Sequence, residues 1–132
     1  SLASVKRKPK INIYGGNYQT RDGTCIRDYI HVSDIAKIHV AVLNKINKTN
    51  KSIILNCGYG KGISVFEAIK EFQKQTKKKF AVKIKSRRKG DMEEIIADIS
   101  KIKKFIKWKP KANSLRKIVK TCIKWENKIR LY

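Results

Sequence analysis

Residues 20–34 read TRDGTCIRDYIHVSD, and this stretch decides the fold class of the chain. Asp22-Gly23 is a strong turn pair. The alternation over residues 29–32 favours a short strand, and Ser33 or Asp34 can accept hydrogen bonds from the free amides of a following helix. A polar loop, a strand and a capped helix in this order predict an α/β fold.

Arg27 lies between the turn and the predicted strand, at the edge of the polar loop. A guanidinium group presents a planar fork of donors that matches two phosphate or carboxylate oxygens at once. The position of Arg27 therefore suits the binding of an anion at the edge of the folded domain.

Length and composition indicate one folded domain. A chain of 132 residues can bury roughly two thirds of the surface that its unfolded form exposes. Hydrophobic residues at 41%, with two Pro and seven Gly, argue against disorder, and no apolar run approaches the about 20 residues that a membrane span needs. The sequence begins without Met and shows no signal peptide, so we expect a fragment of a longer protein without a membrane partner.

The cysteines and histidines form no metal or disulfide pattern. Cys25, Cys57 and Cys122 show no paired spacing, which favours free thiols in a reducing compartment, and we expect a cytoplasmic location. His31 and His39 have no neighbouring Cys or second His at ligand spacing. We therefore expect two structural histidines and no metal site.

The net charge of +23 raises the question of a nucleic-acid partner, because clustered cations neutralise phosphates and release counterions. Seven of the 33 basic residues are arginines and the other 26 are lysines, scattered over nearly every predicted helix and loop. No helix-turn-helix, zinc finger or aromatic stacking motif focuses this charge. We expect nonspecific adhesion to polyanions and no specific nucleic-acid partner.

Hydrophobic periodicity predicts short strands and about four helices, with no internal repeat and no linker. Besides residues 29–32, the predicted strands cover residues 11–14, 53–56 and 80–85, with a brief extension over 95–98. The first predicted helix runs from Ser33 to about Ile46 and ends at residues 47–50, and the second begins at the Ser64–Glu67 capping box. The third runs from Asp98 or Ser100 to Ile106, and the fourth begins at an Asn113 or Ser114 cap.

Glycines at 58, 60 and 62 follow a predicted strand and precede a helix, as in a dinucleotide-binding turn. The spacing G-x-G-x-G differs from G-x-G-x-x-G, and the run Lys77-Lys78-Lys79 stands where an acidic residue would hold a ribose. A structural turn is the better interpretation of these glycines.

Residues 86–91 read SRRKGD at the end of a predicted strand. Two arginines there can hold an anion, while the carboxylate of Asp91 fixes a sugar hydroxyl or the loop itself. Taken alone, the segment is better interpreted as an exposed basic turn.

Together these segments resemble the UDP-glucose 4-epimerases, a family of the extended short-chain dehydrogenase/reductase superfamily. The resemblance covers residues 11 to about 125. The matching residues are Thr20, Asp22, Gly23, Thr24, residues 27–32, Asp34, Asn56, Gly58, Gly60, Gly62, Ser64, Val65, Arg87, Arg88, Gly90, Asp91, Ala97, Asp98, Ser100, Lys101, Trp108 and Pro110.

The resemblance implies a small α/β substrate-binding lobe, with residues 1–132 forming a C-terminal UDP-sugar-binding domain. It implies that Arg27 and Arg88 bind the diphosphate of a UDP-sugar and that Asp91 binds the ribose or orders its loop. Asn12 and Tyr14 would line the uracil pocket. Two charge-assisted contacts to a diphosphate are physically reasonable, because remote binding energy can hold a sugar within reach of a cofactor.

Enzymes of this family bind NAD in an N-terminal Rossmann lobe with Gly-x-x-Gly-x-x-Gly and use a Tyr-x-x-x-Lys pair in catalysis. Neither pattern occurs in this sequence, so the Rossmann lobe is absent and we expect no catalytic, NAD-binding or metal-binding residue here. The resemblance implies that the intact enzyme, a homodimer, interconverts UDP-glucose and UDP-galactose through a transient 4-keto sugar. This chain would supply UDP-sugar binding and be inactive alone.

Two alternatives remain open at this point. One is another NAD-dependent nucleotide-sugar epimerase or dehydratase, although such relatives more often carry Gly-Asp-Gly-x-Gln before their arginine, where this chain has Arg21-Asp22-Gly23-Thr24. The other is a noncatalytic polyanion-binding module that uses the net charge. A steep loss of DNA binding with salt and no sequence preference would indicate mere adhesion.

Overall fold

The computed structural model of the chain describes residues 2–48 and 52–129. The described residues form an α/β fold with short strands, as predicted. The elements in chain order are α1 (Leu2–Val5), β1 (Lys10–Tyr14), β2 (Ile26–Arg27), α2 (Val32–Ile46), β3 (Ile63–Ser64), α3 (Val65–Thr76), β4 (Ala81–Lys85), β5 (Glu94–Ile95), α4 (Ser100–Phe105) and α5 (Leu115–Ile129). Helices α2 to α5 are the four predicted ones, and α1 is an additional single turn.

The strands form two small sheets that share no strand. In the first sheet β1 pairs with β4 in parallel, and the register places Lys10 opposite Ala81 and Tyr14 opposite Lys85. In the second sheet β2 lies in the centre, antiparallel to β3 and parallel to β5. The polar loop after β1 connects the two sheets, so residues that follow β1 and β4 can face residues from β2 and β5.

Two apolar clusters hold the helices against this framework. Ile13 of β1, Ile69 of α3 and Phe80 form the first cluster. Ile38 of α2, Ile102 of α4 and Ile106 form the second, against which Trp108 and other half-buried side chains pack. Each fully buried side chain of this size contributes roughly 1.5–3 kcal/mol. Packing of this kind compensates for sheets too short to be stable alone.

Two of the predicted helix caps are present, at α3 and α5, whereas the N-cap of α4 is Ile99 and not the predicted Asp98 or Ser100. Ser64 and Glu67 form the predicted capping box at α3, with the Glu67 amide donating to the Ser64 hydroxyl at 3.0 Å and the Ser64 amide donating to Glu67 at 2.8 Å. At α5 the Lys117 amide donates to the Ser114 hydroxyl at 3.2 Å, so Ser114 supplies the cap. Asp98 accepts from the Ser100 amide at 2.9 Å, one residue before the N-cap position of α4.

The predicted strand over residues 29–32 is wrong, because the backbone pairs earlier. Ile26 pairs with Ser64 and Glu94, which limits β2 to Ile26–Arg27. Helix α2 then begins at Val32, and its N-cap is His31, whose Nδ1 accepts from the Ser33 amide at 3.1 Å. Neither Ser33 nor Asp34 supplies this cap.

The predicted strand over residues 53–56 is also wrong for the part of the chain that the structure describes. A strand requires a hydrogen-bonded neighbour, and none of the described pairings includes this segment. Ile54 is 85% exposed there. Helix α2 ends at Ile46 with Asn47 as its C-cap, whereas the Thr49 and Asn50 portion of the predicted helix end lies outside the described residues.

Candidate functional site

Arg27 and Arg88 approach the two oxygens of one carboxylate. The Arg88 Nε donates to Asp91 Oδ2 at 2.9 Å, and the Arg27 Nη2 lies 4.0 Å from Asp91 Oδ1. Arg27 comes from the second sheet, whereas Arg88 follows β4 of the first sheet. We call Arg27, Arg88 and Asp91 the arginine clasp. The two guanidinium groups therefore converge although 60 residues of sequence separate them.

The two arginines of the clasp are held to different degrees. The Arg27 side chain is 26% exposed and donates to the Ile26 carbonyl at 2.8 Å, whereas that of Arg88 is 64% exposed. Ion pairs of such exposure contribute only about 0–1 kcal/mol. The Asp91 carboxylate thus lies between a largely buried arginine and an exposed one.

Tyr14 lies directly beneath Arg88. The guanidinium carbon of Arg88 is 4.7 Å from the centroid of the Tyr14 ring, within the range of a cation–π contact. Asn12 precedes Tyr14 by two residues on β1, so both side chains leave the same face of the strand. Asn12 is exposed and opposite Lys83. The structure thus brings together Tyr14, Arg88, Asp91 and Arg27, and it places Asn12 further along the same strand without a described hydrogen bond to them.

The Asp22-Gly23 turn lies just before β2, the strand that carries Arg27. Asp22 accepts from the Thr24 amide at 3.0 Å and from the Thr24 hydroxyl at 2.6 Å, and also from the Ser64 hydroxyl. Burial acts to raise the pKa of Asp22, but the hydrogen bonds from Ser64 and Thr24 outweigh it and hold the pKa below its usual range. Gly23 has φ +75°, and a Cβ there would lie 2.3 Å from the Gly16 carbonyl oxygen, so the turn requires glycine.

The glycine-rich segment after residue 57 is tied into the fold by its own backbone amides. The amides of Tyr59 and Gly60 donate to Asp28, at 3.0 and 2.8 Å. A pyrophosphate bound there would have to displace this carboxylate. The segment is therefore a structural turn, as the glycine spacing predicted.

Tyr59 extends this turn into a second cluster of hydrogen bonds. Its hydroxyl donates to Asp34 Oδ2 at 2.8 Å, and the amides of Lys111 and Ala112 donate to the same oxygen at 3.1 and 2.9 Å. Burial, together with the neighbouring Asp34 carboxylate, raises the pKa of Tyr59 to about 12. We call Asp34, Tyr59, Lys111 and Ala112 the buried aspartate network. The sequence identified Asp34 only as a possible cap, because its true partners lie up to 78 residues away.

The histidines and cysteines take structural positions. His31 Nε2 lies 2.8 Å from the Thr121 hydroxyl, and His39 Nδ1 lies 2.9 Å from the Ile35 carbonyl oxygen. The three cysteines are free thiols. Within residues 2–48 and 52–129, no group of three or more His, Cys, Asp and Glu side chains is arranged to hold a metal ion. No helix of this described part is long and apolar enough to cross a bilayer.

Residues 1–122 match the sequence model of the family described as GDP-mannose 4,6 dehydratase, and the chain belongs to this family. Similar proteins include UDP-glucose 4-epimerases, as the sequence resemblance predicted. The Azospirillum brasilense enzyme is 38% identical over 127 residues, which are 96% of this chain and 36% of the relative. UDP-glucose 4-epimerase 3 of Oryza sativa subsp. japonica is 45% identical over 107 residues, 80% of this chain and 29% of the relative. The chain thus spans about a third of their length.

Solved structures of such enzymes share the fold. The UDP-glucose 4-epimerase of Stenotrophomonas maltophila, with bound NAD and formylated UDP-arabinopyranose, superposes with a TM-score of 0.90 at 34% identity, over 98% of this chain and 38% of that one. The Bifidobacterium longum enzyme in complex with NAD⁺ and UDP gives a TM-score of 0.85 at 36% identity, over 96% and 37% of the two chains. The α/β fold predicted from the sequence is therefore confirmed.

Proposed function

We propose that this chain is the C-terminal, UDP-sugar-binding part of a UDP-glucose 4-epimerase that interconverts UDP-glucose and UDP-galactose. The observation that carries the proposal is the arginine clasp, in which Arg27 and Arg88 meet at one anionic group. Related enzymes have been solved with NAD and UDP or a UDP-linked sugar bound, and they supply the ligand class.

In this proposal the diphosphate takes the place that Asp91 occupies between the two arginines. Each guanidinium fork can donate two charge-assisted hydrogen bonds to phosphate oxygens. Released from Arg88, the Asp91 carboxylate can accept a hydrogen bond from a ribose hydroxyl. Tyr14 and Asn12, on the exposed face of β1, then form the wall against which the uracil ring packs.

Catalysis and NAD binding belong to residues outside this chain. The chain covers 36% of the Azospirillum brasilense relative, and its sequence contains no Tyr-x-x-x-Lys pair. We place both functions in an N-terminal Rossmann lobe. NAD would there accept and return the hydride at the sugar, while the clasp holds the nucleotide in position. The isolated chain, mixed with NAD and UDP-galactose, would then form no UDP-glucose.

The N-terminal lobe would dock on the apolar groove between α2 and residues 53–57. Ile38, Val42, Leu43, Ile53 and Leu55 line this groove together with four other residues. Its rim carries Leu43 and the extended, unpaired segment around Ile54, both exposed. Most of the length of the relatives lies outside this chain, and an apolar surface of this kind is usually covered in the intact protein.

Compartment and assembly complete the proposal. All three thiols are free, and Cys25 is buried, which suits a reducing compartment. We therefore assign the intact enzyme to the cytoplasm, as a homodimer. A second candidate function, another NAD-dependent nucleotide-sugar epimerase or dehydratase, would use the same clasp, and the description of the matched family favours it.

The test is a calorimetric titration of the chain with UDP. Arg88→Ala removes charge-assisted hydrogen bonds of about 1.5–3 kcal/mol, so we expect the affinity to fall roughly ten- to a hundredfold. Lys89→Ala is the matched control, because this substitution removes one positive charge from the same turn. The Lys89 side chain has no described partner. Equal losses in both variants, or no binding of UDP by the unaltered chain, would contradict the proposal.

A further inference from the structure

Arg87 stands next to Arg88 in sequence but is used differently. We propose that Arg87 is a positioning residue that sets the distance between Arg27 and Arg88, and so the fit of the clasp to a diphosphate. This inference rests on the proposed function, and it assigns to Arg87 a role that involves no contact with the ligand.

The side chain of Arg87 contacts three residues of the protein. Its Nε donates to the Asn17 side-chain oxygen at 2.8 Å, and its Nη2 donates to the Asn17 carbonyl oxygen. Its Nη1 lies 3.8 Å from a Glu93 carboxylate oxygen. The guanidinium carbon lies 4.0 Å from the centroid of the Tyr18 ring. Each nitrogen and one face of the guanidinium plane thus has a partner within the protein, which fixes the orientation of Arg87.

These contacts join the two sheets at the point where the clasp spans them. Asn17 and Tyr18 follow β1, and Arg87 follows β4. The contacts of Arg87 with Asn17 and Tyr18 therefore lie within the first sheet. Glu93 directly precedes β5 of the second sheet. The Glu93 carbonyl oxygen accepts from the Ile26 amide of β2 at 2.8 Å. The Arg87–Glu93 ion pair therefore connects the sheet that carries Arg88 to the strand pair that carries Arg27.

One side of Arg87 packs closely against the buried Tyr18, while the rest of its side chain is exposed. Tyr18 is 4% exposed, and a Cβ on Gly15 would lie 2.2 Å from its ring and 3.1 Å from the Arg87 Cγ. A lysine at position 87 could keep the charge, but its single ammonium group cannot reach the Asn17 side chain, the Asn17 carbonyl and Glu93 together. The tie thus depends on the guanidinium shape as well as on its charge.

Loss of the contacts made by Arg87 should affect only the binding of the diphosphate. Two guanidinium forks bind a diphosphate well only when their separation matches the distance between the two phosphoryl groups, and small displacements of positioned groups are costly. Loss of the Arg87 tie should weaken binding of UDP, in which both arginines act. It should leave binding of uridine unchanged, because uridine carries no phosphate.

The experiment titrates UDP and uridine into the chain and into the variants Arg87→Ala, Arg87→Lys, Arg88→Ala and the double variant Arg87→Ala/Arg88→Ala. We expect both Arg87 variants to lower the UDP affinity about tenfold, with less than about twofold change for uridine. In the Arg88→Ala background, Arg87→Ala should have less than about a twofold further effect, because residues that act through one another are not additive. Equal losses for UDP and uridine, or full additivity, would overturn the inference.

A second measurement keeps the inference independent of ligand binding. Amide hydrogen exchange of Ile26, whose amide donates to Glu93, should accelerate in Arg87→Ala and remain unchanged in Lys89→Ala. Unchanged exchange in Arg87→Ala refutes the tie even if the chain binds no UDP. A loss of UDP affinity in Arg88→Ala with none in Arg87→Ala refutes the inference and leaves the proposed function intact. No effect of Arg88→Ala refutes the proposed function itself.

Discussion

The arginine clasp and the buried aspartate network each surround one carboxylate with donors, yet they serve opposite purposes. Asp34 is fully buried, and its Oδ2 accepts three hydrogen bonds from residues 25 to 78 positions away. The Asp91 side chain is 22% exposed and meets two arginines on long, flexible side chains. One oxygen of the first carboxylate is surrounded by donors in fixed positions, whereas the second carboxylate meets side chains that extend toward solvent.

The difference shows how burial decides what a carboxylate can do. Donors from the backbone and from a half-buried tyrosine cannot leave Asp34 without being stranded, so this cluster stabilises the fold. The guanidinium groups around Asp91 can return to solvent at small cost. We therefore expect the stability of the fold to depend on Asp34, and we place the proposed exchange of ligand at Asp91.

The largest expected effect follows from removing Asp34. Asp34→Ala leaves the Tyr59 hydroxyl and the amides of Lys111 and Ala112 without their acceptor, at about 1–3 kcal/mol for each stranded group. We expect the free energy of unfolding, measured by urea denaturation, to fall by several kcal/mol. Tyr59→Phe, which removes only one donor, should cost less. If Asp34→Ala were as stable as the unaltered chain, the contrast between the two carboxylates would be wrong.

A smaller loss should appear on acidification. Burial acts to raise the pKa of Asp34, but hydrogen bonds from Tyr59, Ala112 and Lys111 outweigh it and hold the pKa below its ordinary value. A carboxylate with a lowered folded-state pKa contributes stability that is complete above its unfolded pKa of about 4 and is lost as the pH falls through the folded value.

The check is a series of urea unfolding curves between neutral pH and about pH 3, where unfolded-state aspartates become protonated. We expect the free energy of unfolding to decline below about pH 4, and to decline less steeply in Asp34→Asn. Asp22 and Glu67 also have lowered pKa values, so part of the slope should persist in that variant. Identical slopes would show that Asp34 does not contribute.

Local sequence signals predicted the parts of the fold that local interactions form. The Ser64–Glu67 capping box, the Asp22-Gly23 turn and the periodicity of α5 each depend on residues within a few positions of one another, and each is present. One failure is local, since His31 and neither Ser33 nor Asp34 caps α2, and two others are non-local. The strand over residues 53–56 needs a neighbour, and Asp34 needs partners that are distant in sequence.

The candidate site, like the fold, has parts that the sequence predicted and parts that only the structure shows. Arg27, Arg88 and Asp91 were identified through a family resemblance, and the structure brings them together. Residue types alone could not separate Arg87 from Arg88, because both are exposed arginines in one basic run. Only the three-dimensional position of Asn17 and Glu93 shows that Arg87 is engaged.

The smallest effect on stability should come from Asp91, because the pairs that it forms lie at the surface. Asp91→Ala should change the free energy of unfolding by less than about 1 kcal/mol.

It also removes an anion that competes for both arginines, so inorganic pyrophosphate should bind slightly more tightly. UDP should bind more weakly, because in the proposed function Asp91 accepts a hydrogen bond from the ribose.

The ratio of the UDP affinity to the pyrophosphate affinity isolates this double role of Asp91. Both ligands carry the diphosphate that the clasp would grip, and only UDP carries the ribose. A fall in the ratio would mean that Asp91 pairs with the arginines in the empty site and accepts a hydrogen bond from the ribose in the filled one. A ratio that does not change would confine Asp91 to ordering its loop, and the exchange of partners inferred from its exposure would not take place.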